Sequence, residues 1–320
     1  MAVYTKITKT ELEQHLCNYE IGGLIDFHEI VEGIDNSNYI IKTSTGKYIF
    51  TIFESRIDKE ILPYFVNLKQ HLSSKNISCP KPISNKSGNK ITDFKNKKTI
   101  IVTFLEGSSL KPHLDGYYYN ITPNNCLQIG EMLAKMHVAS QDYVQFRYND
   151  LGVDGFEKLY QKFSHLLADY DKTLVDLIPQ EITNLKALWN PNLPSSACHL
   201  DLFPDNVFFK DGKISAVIDF YFSANDLQIY DFAIIVNAWC FDKHSFNHQK
   251  FISIVNGYQS IKPFTKSELE FLPTALKCAS MRFLITRLND YFFTPKNSLV
   301  KIKDPQEYKQ KLLFFLQNKL

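Results

Sequence analysis

Long apolar runs are missing from this 320-residue chain. The longest candidates, 99–105 and 232–241, fall short of the roughly 20 residues that span a bilayer and suit buried strands or helices. The opening MAVYTKITKTELEQ has no apolar core of the secretory kind, so no export signal is expected and a membrane partner is not. No excess of either charge is present. Lys plus Arg (36) against Asp plus Glu (34) leaves a formal +2, which disfavours nucleic acid as a partner. Paired cysteines are lacking too: Cys17, Cys79, Cys126, Cys198, Cys240 and Cys278 stand singly, with no CxxC, as reduced thiols of a cytoplasmic protein do. Cys198 and His199 are neighbours in an extended segment and point to opposite faces, so they make no thiol–imidazole pair. His244 and His248 have helical spacing but no third ligand, which disfavours zinc. No Walker-type Gly-x-x-x-x-Gly-Lys-Ser/Thr occurs, which excludes a P-loop nucleotide site.

What is present is enough apolar content, 44% of residues, for one or two globular domains. Residues 8–22 open on a capping box, Thr8 with Glu11, and close at Gly22-Gly23, which predicts a short helix. From 27 to 105 the signals are strand-like, with a hairpin joining 38–42 to 47–53, one helix over 60–72, a break at Cys79-Pro80-Lys81-Pro82, and strands over 90–94 and 98–105. The pattern predicts a five-stranded antiparallel sheet carrying one helix. After Glu106-Gly107 the period becomes helical. Thr122-Pro123 starts one helix, and 156–168, 174–189, 230–239, 249–259, 265–293 and 304–320 read as others. The expected fold is α+β in two lobes, a β-rich 1–105 and a mainly helical 106–320, with the cleft between them as the default ligand site.

Chemistry concentrates in residues 197–220, ACHLDLFPDNVFFKDGKISAVIDF. Asp211-Gly212 between two apolar runs predicts a two-residue hairpin turn. With that turn Asn206 falls opposite Val217, and Asp219 is its diagonal neighbour, about 7–8 Å away at the backbone. Carboxylate and amide oxygens converging there are hard ligands, suited to Mg²⁺. The preceding loop delivers His199 and Asp201 toward the same place. Asp and Asn also favour turns, but turn chemistry leaves Asp201, Asn206 and Asp219 together unexplained. Asp219 ends the apolar run 216–218, where an unpaired carboxylate is costly.

HLDLFPDNVFF followed by VIDFYF resembles the catalytic and metal-binding loops of the aminoglycoside phosphotransferase-like kinases, relatives of the protein kinases. Over nearly the whole chain, through EGIDNSNY, GKYIFTIFE, LPYFVNL and MRFLITRL, it is similar to the homoserine kinases of that superfamily. The resemblance implies a protein-kinase-like fold and ATP with Mg²⁺. It casts Asp201 as the base, with His199 holding the catalytic segment, Asn206 and Asp219 as metal ligands, and Asp231 as a brace. For the nucleotide it implies a phosphate-covering turn over 32–38 with Gly33, Ser37 and Asn38, and an adenine hinge at Phe104 and Leu105. Thr51 stands where many kinases carry a phosphate-pairing lysine; Lys47 and Lys42 are the substitutes the sequence offers. The implied reaction is phosphorylation of the homoserine hydroxyl to O-phosphohomoserine, on the route to threonine. Its carboxylate calls for a cation, and Arg282 or Arg287 is the expected reader, with Asp205 and Tyr221 as further substrate contacts. Each arginine could equally pair structurally. Choline, methylthioribose or an aminoglycoside are the alternative acceptors, and a nucleotide-binding pseudokinase is the alternative of another class. Oligomeric state is not legible.

Overall fold

The computed structural model describes residues 4–30, 36–54, 60–295 and 302–318. The chain divides into two compact units, Met1–Glu106 and Gly107–Leu320. No described helix is long and apolar enough to cross a membrane.

The first unit opens with α1 (Lys9–Leu16), whose Thr8–Glu11 capping box forms as expected. Strands β1 (Leu24–Ile30), β2 (Asn36–Thr43) and β3 (Lys47–Phe53) follow as antiparallel neighbours, then α2 (Leu62–Ser74), β4 (Pro82–Ile83), β5 (Ile91–Phe94) and β6 (Lys97–Thr103). Among the described residues the sheet has six strands, not five. The addition is β4, where the prolines signalled only a break; Pro82 begins an edge strand, a position that needs no ladder N–H. Alternation sorts the side chains. Tyr39, Ile41, Phe50 and Ile52 bury one face against Leu12 and Leu16 of α1, so Thr51 and Asn38 face the other way.

The second unit contains β7 (Ser108–Ser109), α3 (Pro123–Ala139), α4 (Phe156–Phe163), α5 (Leu167–Tyr170), α6 (Thr173–Leu188), β8 (Ser195–Cys198), β9 (Val207–Lys210), β10 (Lys213–Val217), β11 (Ala224–Leu227), α7 (Gln228–Trp239), α8 (His248–Gln259), α9 (Lys266–Phe293) and α10 (Pro305–Gln317). Asp211 and Gly212 turn the β9–β10 hairpin with φ of 52° and 75°, the conformation that dipeptide favours. Helices α3 and α8 cross closely at two glycines. A Cβ at Gly130 would lie 2.3 Å from the Ile254 carbonyl oxygen, and one at Gly257 2.0 Å from that of Leu127. This crossing lets His137, near the end of α3, reach Tyr258 of α8, with Nδ1 and the hydroxyl 2.8 Å apart. α7 is buried throughout, so its polar residues need protein partners.

Candidate active site

β8 pairs with β11 and releases the chain at residue 199 into a loop that regular hydrogen bonding does not hold. Leu200 takes φ +63°, a left-handed conformation unfavourable for a side chain of its kind. Buried charge holds it. The fully buried Asp231, in the first turn of α7, accepts from the N–H of His199 (2.9 Å) and of Leu200 (2.8 Å). Arg282 of α9, 1% exposed, donates from Nη1 to the Leu200 carbonyl at 2.5 Å. Burial alone would raise the Asp231 pKa, but His137, 3.1 Å away, and the loop N–H groups hold it below the ordinary value.

His199 has both ring nitrogens engaged by backbone. Nε2 lies 3.0 Å from the Ile218 carbonyl, and Nδ1 3.2 Å from the Asp201 N–H. A carbonyl can only accept and an amide only donate, so the proton sits on Nε2, and burial lowers the pKa of the neutral ring. His199 therefore ties the Asp201 segment to the Ile218 segment.

Asp201, Asn206 and Asp219 come together, though not by the expected register. A bulge at Ser215 sets Ala216 opposite Phe208 and Val217 opposite Val207, and the Ile218 N–H donates to the Asn206 carbonyl at 3.0 Å. The Asn206–Val217 pairing is thus corrected by one residue, because the bulge inserts one extra residue into β10. Asp219 then turns left-handed (φ +65°) instead of continuing the strand. The Asn206 amide nitrogen donates to the Asp201 carbonyl (2.8 Å) and to its carboxylate (3.3 Å). With that nitrogen committed, the Asn206 amide oxygen is the end able to bind a cation. Burial and the neighbouring Asp219 charge push the Asp201 pKa up to about 7, against the opposing pull of Arg282 and Lys303. Two crowded carboxylates and an amide oxygen are an all-oxygen donor set, which fits a hard divalent cation.

A second cluster is excluded as a metal centre by its bonding. The donor atoms of His137, Cys198 and Asp231 lie within 4.8 Å of one another. Yet His137 is spent on Asp231 and Tyr258, while burial raises the Cys198 thiol pKa far above normal and its S–H points to the Asp226 carbonyl.

The two arginines are both committed. Arg282 holds the loop as described, and Arg287 donates to Glu307 (2.6 Å) and to the Asp304 carbonyl (2.8 Å), stacked over Tyr308. Burial would raise Glu307, but Lys311 and Arg287 hold its pKa down near about 2. In an apolar helix each guanidinium has a protein partner at home, while the buried Nε of Arg282 meets none among the described residues. Tyr221 is half-buried, and its carbonyl accepts from Arg147 at 2.6 Å. Asp205 is half-exposed beside Asn206, within reach of Lys303 and Tyr118, neither of which the sequence reading singled out. His137 was missed as a bracing residue, since a helical His on an apolar face carries no signal of its own.

In the first unit Thr51 and Asn38 are directly paired across β3 and β2, with the Thr51 hydroxyl donating to the Asn38 amide oxygen at 2.7 Å. Ser37 is buried and used internally: it donates to Glu54 (2.6 Å) and accepts from the N–H of Tyr4 and of Thr5. Gly33 lies outside the described residues. Phe104 and Leu105 are half-buried just before the unit ends, and the Lys47 ammonium lies 5.6 Å over the Phe104 ring, at the opposite end of β3 from Phe53; Lys42 pairs with Lys47 at that same end.

Residues 26–264 match the phosphotransferase enzyme family. Over 315 residues the chain is 39% identical to the homoserine kinase of Xanthobacter autotrophicus, covering 98% of this chain and 96% of that one. Over 316 residues it is 41% identical to the homoserine kinase of Agrobacterium fabrum, covering 98% and 95%. Among solved structures it superimposes on an amicoumacin kinase complexed with AMP-PNP and Ca²⁺, with TM-score 0.67, 14% identity, and 97% and 92% covered. At that identity the likeness is one of fold, the kinase-like α+β fold.

Proposed function

The chain belongs to the phosphotransferase enzyme family, and from that premise we propose that it transfers the γ-phosphoryl group of ATP to the homoserine hydroxyl. The observation that carries the choice of acceptor is the likeness, at 39–41% identity over almost the full length, to homoserine kinases. Asp201 accepts the hydroxyl proton as the oxygen attacks the γ-phosphorus and ADP leaves. Asn206 orients that carboxylate through its amide N–H. Asn206 and Asp219 would hold Mg²⁺, which when bound neutralises charge on the transferring phosphoryl oxygens. The protein's part is alignment: His199, Asp231 and Arg282 hold the loop so that little reorganisation is left for the reacting state. Residues 1–105 take the nucleotide, with Asn38, Thr51, Phe104 and Leu105 as contacts, and residues 106–320 carry catalysis and the acceptor. A cytoplasmic setting suits the six free thiols.

A coupled ADP-release assay with homoserine, choline, methylthioribose and kanamycin tests the reading. Homoserine should be the preferred acceptor, and EDTA should abolish turnover until Mg²⁺ is restored. Preference for another acceptor, or turnover indifferent to EDTA, overturns it.

A further inference from the structure

An acceptor with both an ammonium and a carboxylate needs one acidic and one cationic contact near the base. Resting on the proposed homoserine reaction, the question is which residues supply them. Arg282 and Arg287 already hold protein partners: one is 1% exposed and bonded to the Leu200 carbonyl, the other is held by Glu307 and the Asp304 carbonyl. Lys303 is the other cation whose charge reaches Asp201. Its side chain is 59% exposed, its ammonium rests 5.2 Å over the Phe203 ring, and it lies 3.9 Å from an oxygen of Asp205. Phe203 and Asp205 belong to the loop that carries Asp201 and Asn206, so Lys303 is positioned against the catalytic segment itself.

An exposed ion pair alone would mean little, since such pairs contribute small and screened energies. The surroundings of Asp205 add more. Tyr118 lies beside this carboxylate from another segment, and burial together with the Asp205 charge pushes its phenol up. The Asp205 Oδ1 atom is buried and meets no hydrogen-bond donor among the described residues. A buried carboxylate oxygen without a donor is unfavourable unless a ligand supplies one. The neighbouring cation, at 3.9 Å, is too distant for a hydrogen bond. Asp205 and Lys303 thus offer an acceptor and a donor side by side, beside the proposed base.

We propose that Asp205 and Lys303 are the specificity pair for the amino-acid end of the acceptor: Asp205 accepts from the ammonium and Lys303 donates to the carboxylate. The acceptor inserts between two side chains already near each other, and its hydroxyl, three bonds from the α carbon, extends toward Asp201. A pair of opposite charges selects a zwitterion over choline, which has no carboxylate, and over polycationic aminoglycosides, which Lys303 repels.

The test uses the full chain with Mg²⁺ and ATP and three acceptors: homoserine, aminopropanol, which lacks only the carboxylate, and γ-hydroxybutyrate, which lacks only the ammonium. Lys303→Met should raise the KM for homoserine about ten- to a hundred-fold, the range of one lost charge-assisted bond. The KM for ATP and the melting temperature should stay put, because the Lys303 side chain is exposed. Discrimination between homoserine and aminopropanol should shrink by the same factor. Asp205→Asn should weaken homoserine and aminopropanol but spare γ-hydroxybutyrate. A Lys303→Met enzyme that keeps the wild-type KM and still prefers homoserine over aminopropanol overturns this inference while the proposed reaction stands. A wild-type chain that does not phosphorylate homoserine overturns the proposed reaction, and the inference with it.

Discussion

The candidate catalytic loop and the first-unit sheet secure their candidate residues by different means. In the sheet, Thr51 and Asn38 sit on regular strands, and the ladder between β2 and β3 sets their placement; one neutral hydrogen bond joins them. In the loop, backbone geometry is unfavourable at Leu200 and again at Asp219, at a cost of about 1–3 kcal/mol each. There the chain is held from outside by buried charge: Asp231 on two N–H groups, Arg282 on a carbonyl, His199 bridging two segments. A strand needs no external clamp because its own repeat defines the direction of each side chain. A loop that, in the proposed reaction, aims one carboxylate at a reacting group has no repeat, so other elements must hold it. The same substitution chemistry should therefore cost far more in the loop than in the sheet.

The largest expected effect separates chemistry from holding. Asp201→Asn keeps shape and removes the proton-accepting charge, so turnover should fall by about 10²–10⁴-fold. Relief from the neighbouring Asp219 charge means that the melting temperature should not drop. Wild-type turnover in this variant would leave Asp201 outside the chemistry.

Asp231→Ala should do the reverse, striking stability first. It strips buried N–H groups and His137 of their common partner, and loss of one member of such a buried network costs about 3–5 kcal/mol. Denaturant titration measures this; an unchanged midpoint would dissolve the contrast drawn between the two regions.

A smaller effect is expected from Arg282→Met, which keeps length and apolar packing but leaves the Leu200 carbonyl without its donor, at about 1–3 kcal/mol. Turnover should fall by up to about a hundred-fold through misplacement, with the KM for ATP unchanged, and Arg282→Lys should recover part of it. A Met variant with normal kcat would show that Asp231 alone suffices.

The smallest effect belongs to the sheet. Thr51→Val removes one neutral bond worth about 0.5–1.5 kcal/mol, and strand geometry survives. The KM for ATP should move only a few-fold. A change as large as that of Asp201→Asn would show that Thr51 carries a role no ladder position explains.

Much of this was legible along the chain because the signals were local. Capping at Thr8 and Thr122, the Asp211-Gly212 turn and the period change after Glu106 each depend on residues a few positions apart. The gathering of Asp201, Asn206 and Asp219 was legible for the same reason, since one hairpin carries them. What failed shows the limit. The register at Asn206 slipped by one because the Ser215 bulge follows from how β10 packs and has no composition signal. The fate of the two arginines was open in sequence because a guanidinium in an apolar helix takes whichever acceptor the fold brings: the Leu200 carbonyl from 82 residues away for Arg282, Glu307 for Arg287. His137 and Lys303 were silent for the same reason. Local order was thus determined by the sequence itself, through propensity, period and turn chemistry acting over a few residues. The partners of buried and charged groups were decided only in the tertiary structure, because hydrogen bonds and charges act over a few ångströms in space however far apart the residues stand in the chain.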